Sequence, residues 1–161
     1  MACVKRVIEA DRYVRSGKYT KWDPKLFVSP QIWGKTIGIV GLGHIGSYVA
    51  NIAFGGFKMK VMYHDIHRSP DFEMLTEAEH VSLESLLKLA DVVAICLPLT
   101  DKTRDIIGRK ELKLMKDTAI LVNTGRGATV DEEALIWALK EKVIMGAGLD
   151  VFEDEFHIPH E

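Results

Sequence analysis

The sequence has few cysteines, almost no net charge and no long apolar run. Its two cysteines, Cys3 and Cys96, are far apart, and the second lies in the apolar run 92–99, where a thiol packs as a small hydrophobe. No stretch approaches the ~20 apolar residues of a membrane span, and the opening MACVKRVIEADRYVR lacks the apolar core of a signal peptide. The formal net charge of −2 creates no field that would attract nucleic acid. We therefore expect a cytoplasmic protein that handles small molecules, with no nucleic-acid, membrane or metal partner.

Short apolar segments alternate with amphipathic ones from Thr36 onward. TIGIV and KVMYHD are predicted strands, and the helix between them carries an apolar stripe of Ile45, Val49, Ile52 and Ala53. Further strands are predicted at 91–98, 118–123 and 145–151, with helices that begin after Ser82, at 109 and after Asp131. Strands that are apolar on both faces predict an α/β fold of the Rossmann type, a doubly wound parallel sheet with helices on both faces.

The first 34 residues differ from this alternating pattern. Residues 2–16 place Val4, Val7, Ile8 and Val14 on one helical stripe, and an irregular arm with Trp22, Phe27 and Trp33 follows. Because these apolar side chains have little local core to cover them, we predict that residues 1–34 contact a second copy in a homodimer. Residues 35–153 then form the predicted nucleotide-binding domain.

A glycine motif lies where the first strand meets its helix. Gly41-Leu42-Gly43-His44-Ile45-Gly46 has the G-x-G-x-x-G pattern, directly after a predicted strand and at the beginning of a helix. Such glycines allow a tight turn, close approach of a pyrophosphate and close packing of helix on strand, while the helix N-terminus offers amide donors. The alternative is a glycine-rich turn without a ligand.

An acidic residue follows at the spacing that a ribose-binding carboxylate requires. Asp65 ends the second predicted strand, 19 residues after Gly46. Its carboxylate can accept both hydroxyls of the adenosine ribose and would repel a 2′-phosphate, so NAD is favoured over NADP unless His67 and Arg68 reorganise around the phosphate. The alternative is a turn-forming aspartate, which is common at strand ends.

Four segments in this order and spacing, GKTIGIVGLGHIGSYVA, LPLTDKTRDIIG, LVNTGRGATVDEEAL and GAGLDVFEDE, resemble the D-isomer-specific 2-hydroxyacid dehydrogenase family, in its glyoxylate/hydroxypyruvate reductase-like branch. The resemblance implies the NAD-binding domain of an oxidoreductase that transfers hydride between nicotinamide and a small D-2-hydroxy or 2-oxo acid. It places His44 and Ile45 under the pyrophosphate. The other cofactor residues that it implies are Leu97, Pro98 and Thr103 along the cofactor, and Thr124, Gly125 and Asp150 at the nicotinamide end.

The same resemblance assigns two residues to the reaction. Arg126 matches the family's substrate arginine, whose planar fork pairs with a carboxylate and stays charged at any working pH. Glu155 matches the glutamate that orients a catalytic histidine and raises its basicity. The alternatives are a surface arginine and a solvated acidic run, and for Asp150 a strand-end turn residue.

The family's catalytic histidine lies some tens of residues beyond its glutamate, and His157 and His160 are too close to Glu155 to take that role. Residues 154–161 are therefore assigned to the beginning of a return to a substrate domain, and the chain is expected to be a fragment or excised domain that binds cofactor without turnover. The alternative function is an NAD-sensing interaction protein, like the corepressor branch of the family.

Overall fold

A computed structural model describes residues 1–155, which divide into two compact units after Ile32. The first unit contains the helix α1 (Val7–Arg15) and an irregular arm. Within it the Arg6 guanidinium lies 5.0 Å from the centre of the Phe27 ring, and Tyr13 meets the same ring edge-on at 5.5 Å between centroids. The helix is shorter than predicted, because Arg6 adopts a left-handed conformation that precedes its first turn.

The second unit is built on six parallel strands in the order β3-β2-β1-β4-β5-β6. This order reverses direction between β1 and β4, and it confirms the predicted doubly wound sheet. The strands are β1 (Thr36–Val40), β2 (Lys60–His64), β3 (Glu79–His80), β4 (Val92–Ile95), β5 (Ile120–Asn123) and β6 (Gly146–Leu149). The helices are α2 (His44–Phe57), α3 (Pro70–Thr76), α4 (Leu83–Leu89), α5 (Arg109–Leu112) and α6 (Glu132–Lys140), with a 3₁₀ turn at Gly127–Thr129.

Two apolar clusters cover the two faces of the sheet. Ile37 and Ile39 of β1 pack in one cluster with the small side chains of α2, whereas Val40 packs in the other with Leu86 and Leu87 of α4. Because neighbouring residues of a strand point to opposite faces, one strand contributes to both clusters. Within residues 1–155 no helix is long and apolar enough to cross a membrane.

Several local predictions are confirmed. The hydroxyl of Ser82 accepts the amide of Ser85 at 3.1 Å, and the carboxylate of Asp131 accepts the amide of Ala134 at 3.0 Å, so both residues cap helices as expected. The strand TIGIV has the predicted bounds. The helix expected at 109–116 is regular only as far as Leu112.

Other local predictions are wrong. In the stripe predicted for α2, Ile45 and Ile52 are 57% and 61% exposed, whereas Ala53 is buried as expected, together with Gly46 and Ala50. Leu139 of α6, also expected to face the core, is partly exposed. Helix α3 and strand β3 were not predicted, since their segment is polar and both residues of β3 are exposed.

The loops that follow the strands are tied together at the carboxyl edge of the sheet. Each loop begins with an amide that donates to the last residue of a neighbouring strand: Gly41 to His64, Cys96 to Val40, Thr124 to Ile95 and Asp150 to Asn123, at 2.9 to 3.2 Å. Four loops thereby start at fixed positions on one edge, where ligands of open parallel sheets bind.

Candidate functional site

The glycine loop between β1 and α2 is held by close backbone contacts. Gly41 has φ +95°, and a side chain there would lie 3.1 Å from the carbonyl carbon of Cys96. A Cβ on Gly46 would lie 2.1 Å from the carbonyl oxygen of Gly41, so only glycine lets α2 pack this close to the loop. Gly43, at the N-cap of α2, differs because a Cβ there would meet no atom within 4 Å. The chain itself gives no steric reason for glycine at position 43.

Asp65 lies beside this loop. Its Oδ2 accepts the amide of Leu42 at 2.8 Å, and its Oδ1 accepts the amide of His67 at 3.0 Å. The side chain is half-buried. A carboxylate has about four acceptor positions, so the two amides leave acceptor capacity for further donors such as ribose hydroxyls. Asp65 thus supports the glycine loop, a role beyond the one its spacing indicated.

A cleft of about 240 Å³ opens at the carboxyl edge, between the N-terminus of α2 and the loops that follow β4 and β5. Its lining unites eight of the predicted site residues, which come from three separate segments of the chain. The lining residues are Gly43, His44, Ile45, Cys96, Leu97, Pro98, Thr124, Gly125 and Arg126.

Cys96 is the lining residue that sequence reasoning missed as part of a site. Its Sγ lies 3.9 Å from the hydroxyl oxygen of Thr124, and burial raises the pKa of the thiol, which the Thr124 contact lowers to a smaller extent. The thiol is therefore neutral at physiological pH and contributes a small, weakly polar surface. The position directly after β4, at the carboxyl edge, was the signal that could have identified it.

Arg126 is presented by a rigid turn. The buried Asn123 side chain donates to the Arg126 carbonyl at 3.0 Å and accepts the Gly125 amide at 3.0 Å, and the Thr129 hydroxyl donates to the same carbonyl at 2.6 Å. Asn123 and Thr129 are 1% and 0% exposed. The guanidinium donates to the Gly125 carbonyl at 2.8 Å but forms no ion pair with any carboxylate among the described residues. A full positive charge thus remains available at the cleft.

The two glycines beside Arg126 serve packing within the protein. A Cβ on Gly125 would lie 2.6 Å from the Leu97 carbonyl oxygen, and one on Gly127 would lie 1.9 Å from the Phe152 carbonyl carbon. Gly125 thus joins the loop after β5 to the loop after β4, and Gly127 joins it to the segment after β6. Contacts within the chain therefore already require glycine at both positions.

The remaining predicted residues lie outside the cleft lining. The Thr103 hydroxyl donates to the Pro98 carbonyl at 2.7 Å and accepts the Thr100 amide at 2.8 Å, so it holds the loop after β4 in place. Asp150 is exposed at the end of β6, and Glu155 is exposed in a turn. Phe156, His157 and His160 lie outside the described residues.

The whole sequence, residues 1–161, matches the family model described as D-isomer specific 2-hydroxyacid dehydrogenase, NAD binding domain. The chain belongs to this family. A glyoxylate reductase of Korarchaeum cryptofilum is 51% identical over 156 residues, which are 96% of this chain and 47% of the relative. This NAD-binding domain therefore spans about half the length of such relatives.

Solved structures of the family share the fold. D-lactate dehydrogenase from Aquifex aeolicus, complexed with NAD and lactic acid, superposes with a TM-score of 0.87 at 34% identity, over 96% of this chain and 45% of that one. An acyclic imino acid reductase in complex with NADPH and D-Arg gives a TM-score of 0.87 at 34% identity, over 98% of this chain and 49% of that one. The same fold thus occurs with either nicotinamide dinucleotide.

Proposed function

We propose that the cleft binds NAD(H) and that the N-terminus of α2 holds its pyrophosphate. The observation that carries this proposal is Gly43, where glycine has no packing reason within the chain although the position faces the cleft. Space for a methyl group at a helix N-terminus is space for a phosphate oxygen, and the amide donors there favour negative charge. His44 and Ile45 line the same end of the cleft and would flank the pyrophosphate.

The preference for NAD over NADP rests on Asp65. Its carboxylate accepts two amides of the loop and has remaining lone pairs for the 2′- and 3′-hydroxyls of the ribose. A 2′-phosphate at that place would bring two negative groups together, which costs binding energy unless a cation separates them. Because family structures hold either dinucleotide, this local chemistry must decide the preference.

The nicotinamide end of the cofactor is assigned to the far side of the cleft. Leu97 and Pro98 line its wall, and Thr124 and Gly125 lie next to Arg126. Thr103 supports this wall through the Pro98 carbonyl, and Asp150 stands on the adjacent loop after β6. These residues would fix the ring relative to the arginine that receives the substrate.

For the whole protein we propose a D-2-hydroxyacid dehydrogenase activity, with glyoxylate or a similar small 2-oxo acid as substrate. Bound NADH supplies the hydride for the carbonyl carbon of such an acid. Arg126 would pair with the substrate carboxylate, and its unpaired charge at the cleft supports this role. Glu155 would orient a histidine that exchanges the hydroxyl proton. Relatives named glyoxylate reductase favour an enzyme over an NAD-sensing interaction protein.

Calorimetric titration of the chain with NADH and NADPH tests the cofactor proposal. We expect one site per chain and tighter binding of NADH, and equal affinities would refute the ribose assignment of Asp65. Absence of binding would refute the site itself.

The substrate proposal requires a protein in which this chain is joined to the rest of its polypeptide. Arg126→Lys keeps the charge but loses the planar fork, so KM for glyoxylate should rise more than kcat falls. An unchanged KM would show that Arg126 does not hold the carboxylate.

A further inference from the structure

A triad of polar side chains lies next to the ribose position and has no part in the site described above. The Tyr63 hydroxyl donates to Glu73 Oε1 at 2.6 Å and accepts the Ser69 amide at 2.8 Å. Arg68 donates to the same carboxylate through Nε at 2.9 and 3.0 Å and through Nη2 at 2.7 Å. Tyr63 is fully buried, at 0% exposure. The Glu73 carboxylate is therefore fixed by the Tyr63 hydroxyl on one side and pairs with Arg68 on the other.

Arg68 lies in the short segment between Asp65, the proposed ribose-binding residue, and α3. It follows Asp65 by three residues, and the segment is tied to Asp65 by the His67 amide. The side chain of Arg68 is 67% exposed and that of Glu73 only 14%. A long, exposed arginine side chain is therefore held by a carboxylate that is mostly covered. Between Asp65 and α3 it is the one side chain with a permanent positive charge.

The ion pair between Arg68 and Glu73 determines whether a cation is available to a 2′-phosphate. An NADP phosphate beside Asp65 needs a cation to offset the carboxylate, and an arginine near the second strand is the residue that supplies it in dinucleotide folds. The hydrogen bond from Arg68, followed by the one from Tyr63, lowers the pKa of Glu73 to about 2, so the carboxylate stays charged throughout the physiological range. Arg68 is therefore neutralised and oriented by an internal anion.

We propose that Glu73 is a specificity-determining residue that withholds Arg68 from the cofactor and so maintains the preference for NAD over NADP. This inference rests on the proposed NAD site. It differs from the role of Asp65, because Asp65 would act on the ribose directly whereas Glu73 acts through the position of a cation.

The test is titration calorimetry of the chain with NADH and NADPH for four variants. In Glu73→Gln the Tyr63 contact can persist but the charge pairing is lost, so NADPH should bind about fivefold tighter, the upper end for an exposed ion pair. NADH affinity should stay within about twofold, since its ribose carries no phosphate. In the double variant Glu73→Gln/Arg68→Gln the gain for NADPH should disappear. Glu84→Gln is the matched control, because it removes the carboxylate of another ion pair, with Lys88, on α4.

The ratio of the two affinities separates selectivity from a merely structural role. If the triad only ties α3 to β2, Glu73→Gln lowers the melting temperature and leaves the ratio unchanged, which overturns the proposal. A gain that persists in the double variant also overturns it, because the gain would then not depend on Arg68. An equal gain in Glu84→Gln, which changes the net charge by the same amount as Glu73→Gln, would show that net charge is the cause. Arg68→Gln alone should leave NADPH binding within about twofold of the unaltered chain, and a larger loss would show that Arg68 already contacts the phosphate. If the unaltered chain binds neither dinucleotide, the proposed function fails instead.

Discussion

Three glycine-to-alanine substitutions in one loop and helix separate folding from ligand binding. Gly43→Ala adds a methyl group that meets no protein atom within 4 Å, at extended backbone angles that alanine adopts freely. Its smaller conformational freedom in the unfolded chain adds about 0.4–1 kcal/mol of stability, and the weaker N-cap offsets a similar amount. We predict that the free energy of unfolding stays within about 1 kcal/mol of the unaltered chain.

NADH binding by Gly43→Ala, unlike its stability, should change strongly. A methyl group at Gly43 occupies the space assigned to a pyrophosphate oxygen, and a displaced phosphate loses at least one charge-assisted hydrogen bond, worth about 1.5–3 kcal/mol. The dissociation constant for NADH should therefore rise at least about tenfold, which corresponds to ~1.4 kcal/mol. Titration calorimetry and urea unfolding on the same preparation measure both quantities.

The other two glycines provide the contrast. In Gly46→Ala the new Cβ would lie 2.1 Å from the Gly41 carbonyl oxygen, so backbone must shift at a cost of about 1–3 kcal/mol, partly offset by ~1 kcal/mol of helix propensity. Gly56→Ala, in an exposed part of α2 with no neighbour within 4 Å, should stabilise the chain by up to about 1 kcal/mol and leave NADH binding unchanged. Undiminished NADH binding by Gly43→Ala would refute the pyrophosphate assignment.

Four further predictions follow from individual contacts. Asp65→Ala should weaken NADH binding by about 1.5–3 kcal/mol and narrow the difference in affinity between NADH and NADPH, whereas equal losses for both in calorimetry would implicate only the amide contacts of Asp65 with Leu42 and His67. Asn123→Ala should cost about 1–3 kcal/mol in urea unfolding, because the buried Gly125 amide loses its side-chain acceptor and the Arg126 carbonyl loses one of its donors. The pKa of Glu73 lies near 2 in the folded chain and near 4.5 unfolded, so its pairing stabilises fully above about pH 5 and is lost as pH falls. In Glu73→Gln the melting temperature should therefore fall less steeply as the pH drops below about 5, and an unchanged fall would contradict this. Light scattering at tens of micromolar should show a homodimer that deletion of residues 1–33 abolishes, and a monomeric intact chain would contradict the assembly.

The strand order illustrates what pattern in a sequence can and cannot specify. Alternating apolar strands and capped helices predicted a parallel sheet, since both Ser82 and Asp131 begin helices through local hydrogen bonds. Helix α3 escaped prediction because its pattern is short and polar. Ala53 of the stripe predicted for α2 lies on the buried face, but its other members there are Gly46 and Ala50 and not the large side chains, because hydrophobicity alone does not measure how close a helix must approach.

The site was predictable where one segment carries its own geometry and unpredictable where segments meet. The G-x-G-x-x-G loop and the spacing of Asp65 are local, so the sequence indicated both. Cys96 joined the lining only because β4 lies beside β1, which brings the residue after β4 next to Gly41. That adjacency is a long-range pairing, and the sequence near Cys96 indicates only that this residue lies at the end of a strand.

The contacts around the cleft would let such a domain keep the proposed cofactor site in relatives that act on different substrates. Backbone contacts fix the walls. Gly125 lies against Leu97 and Gly127 against Phe152 at distances that leave no room for a Cβ, and Gly41 lies against Cys96 with little room for one. Because these three contacts involve little side-chain chemistry, changes in the lining side chains need not alter the spacing of the loops. Arg126 follows the same logic, because Asn123 and Thr129 hold its carbonyl and its guanidinium donates to a backbone carbonyl of the same turn. In the proposed function, this turn would place the Arg126 charge at the cleft before any substrate arrives, and selectivity for the rest of the acid would be left to groups outside the turn.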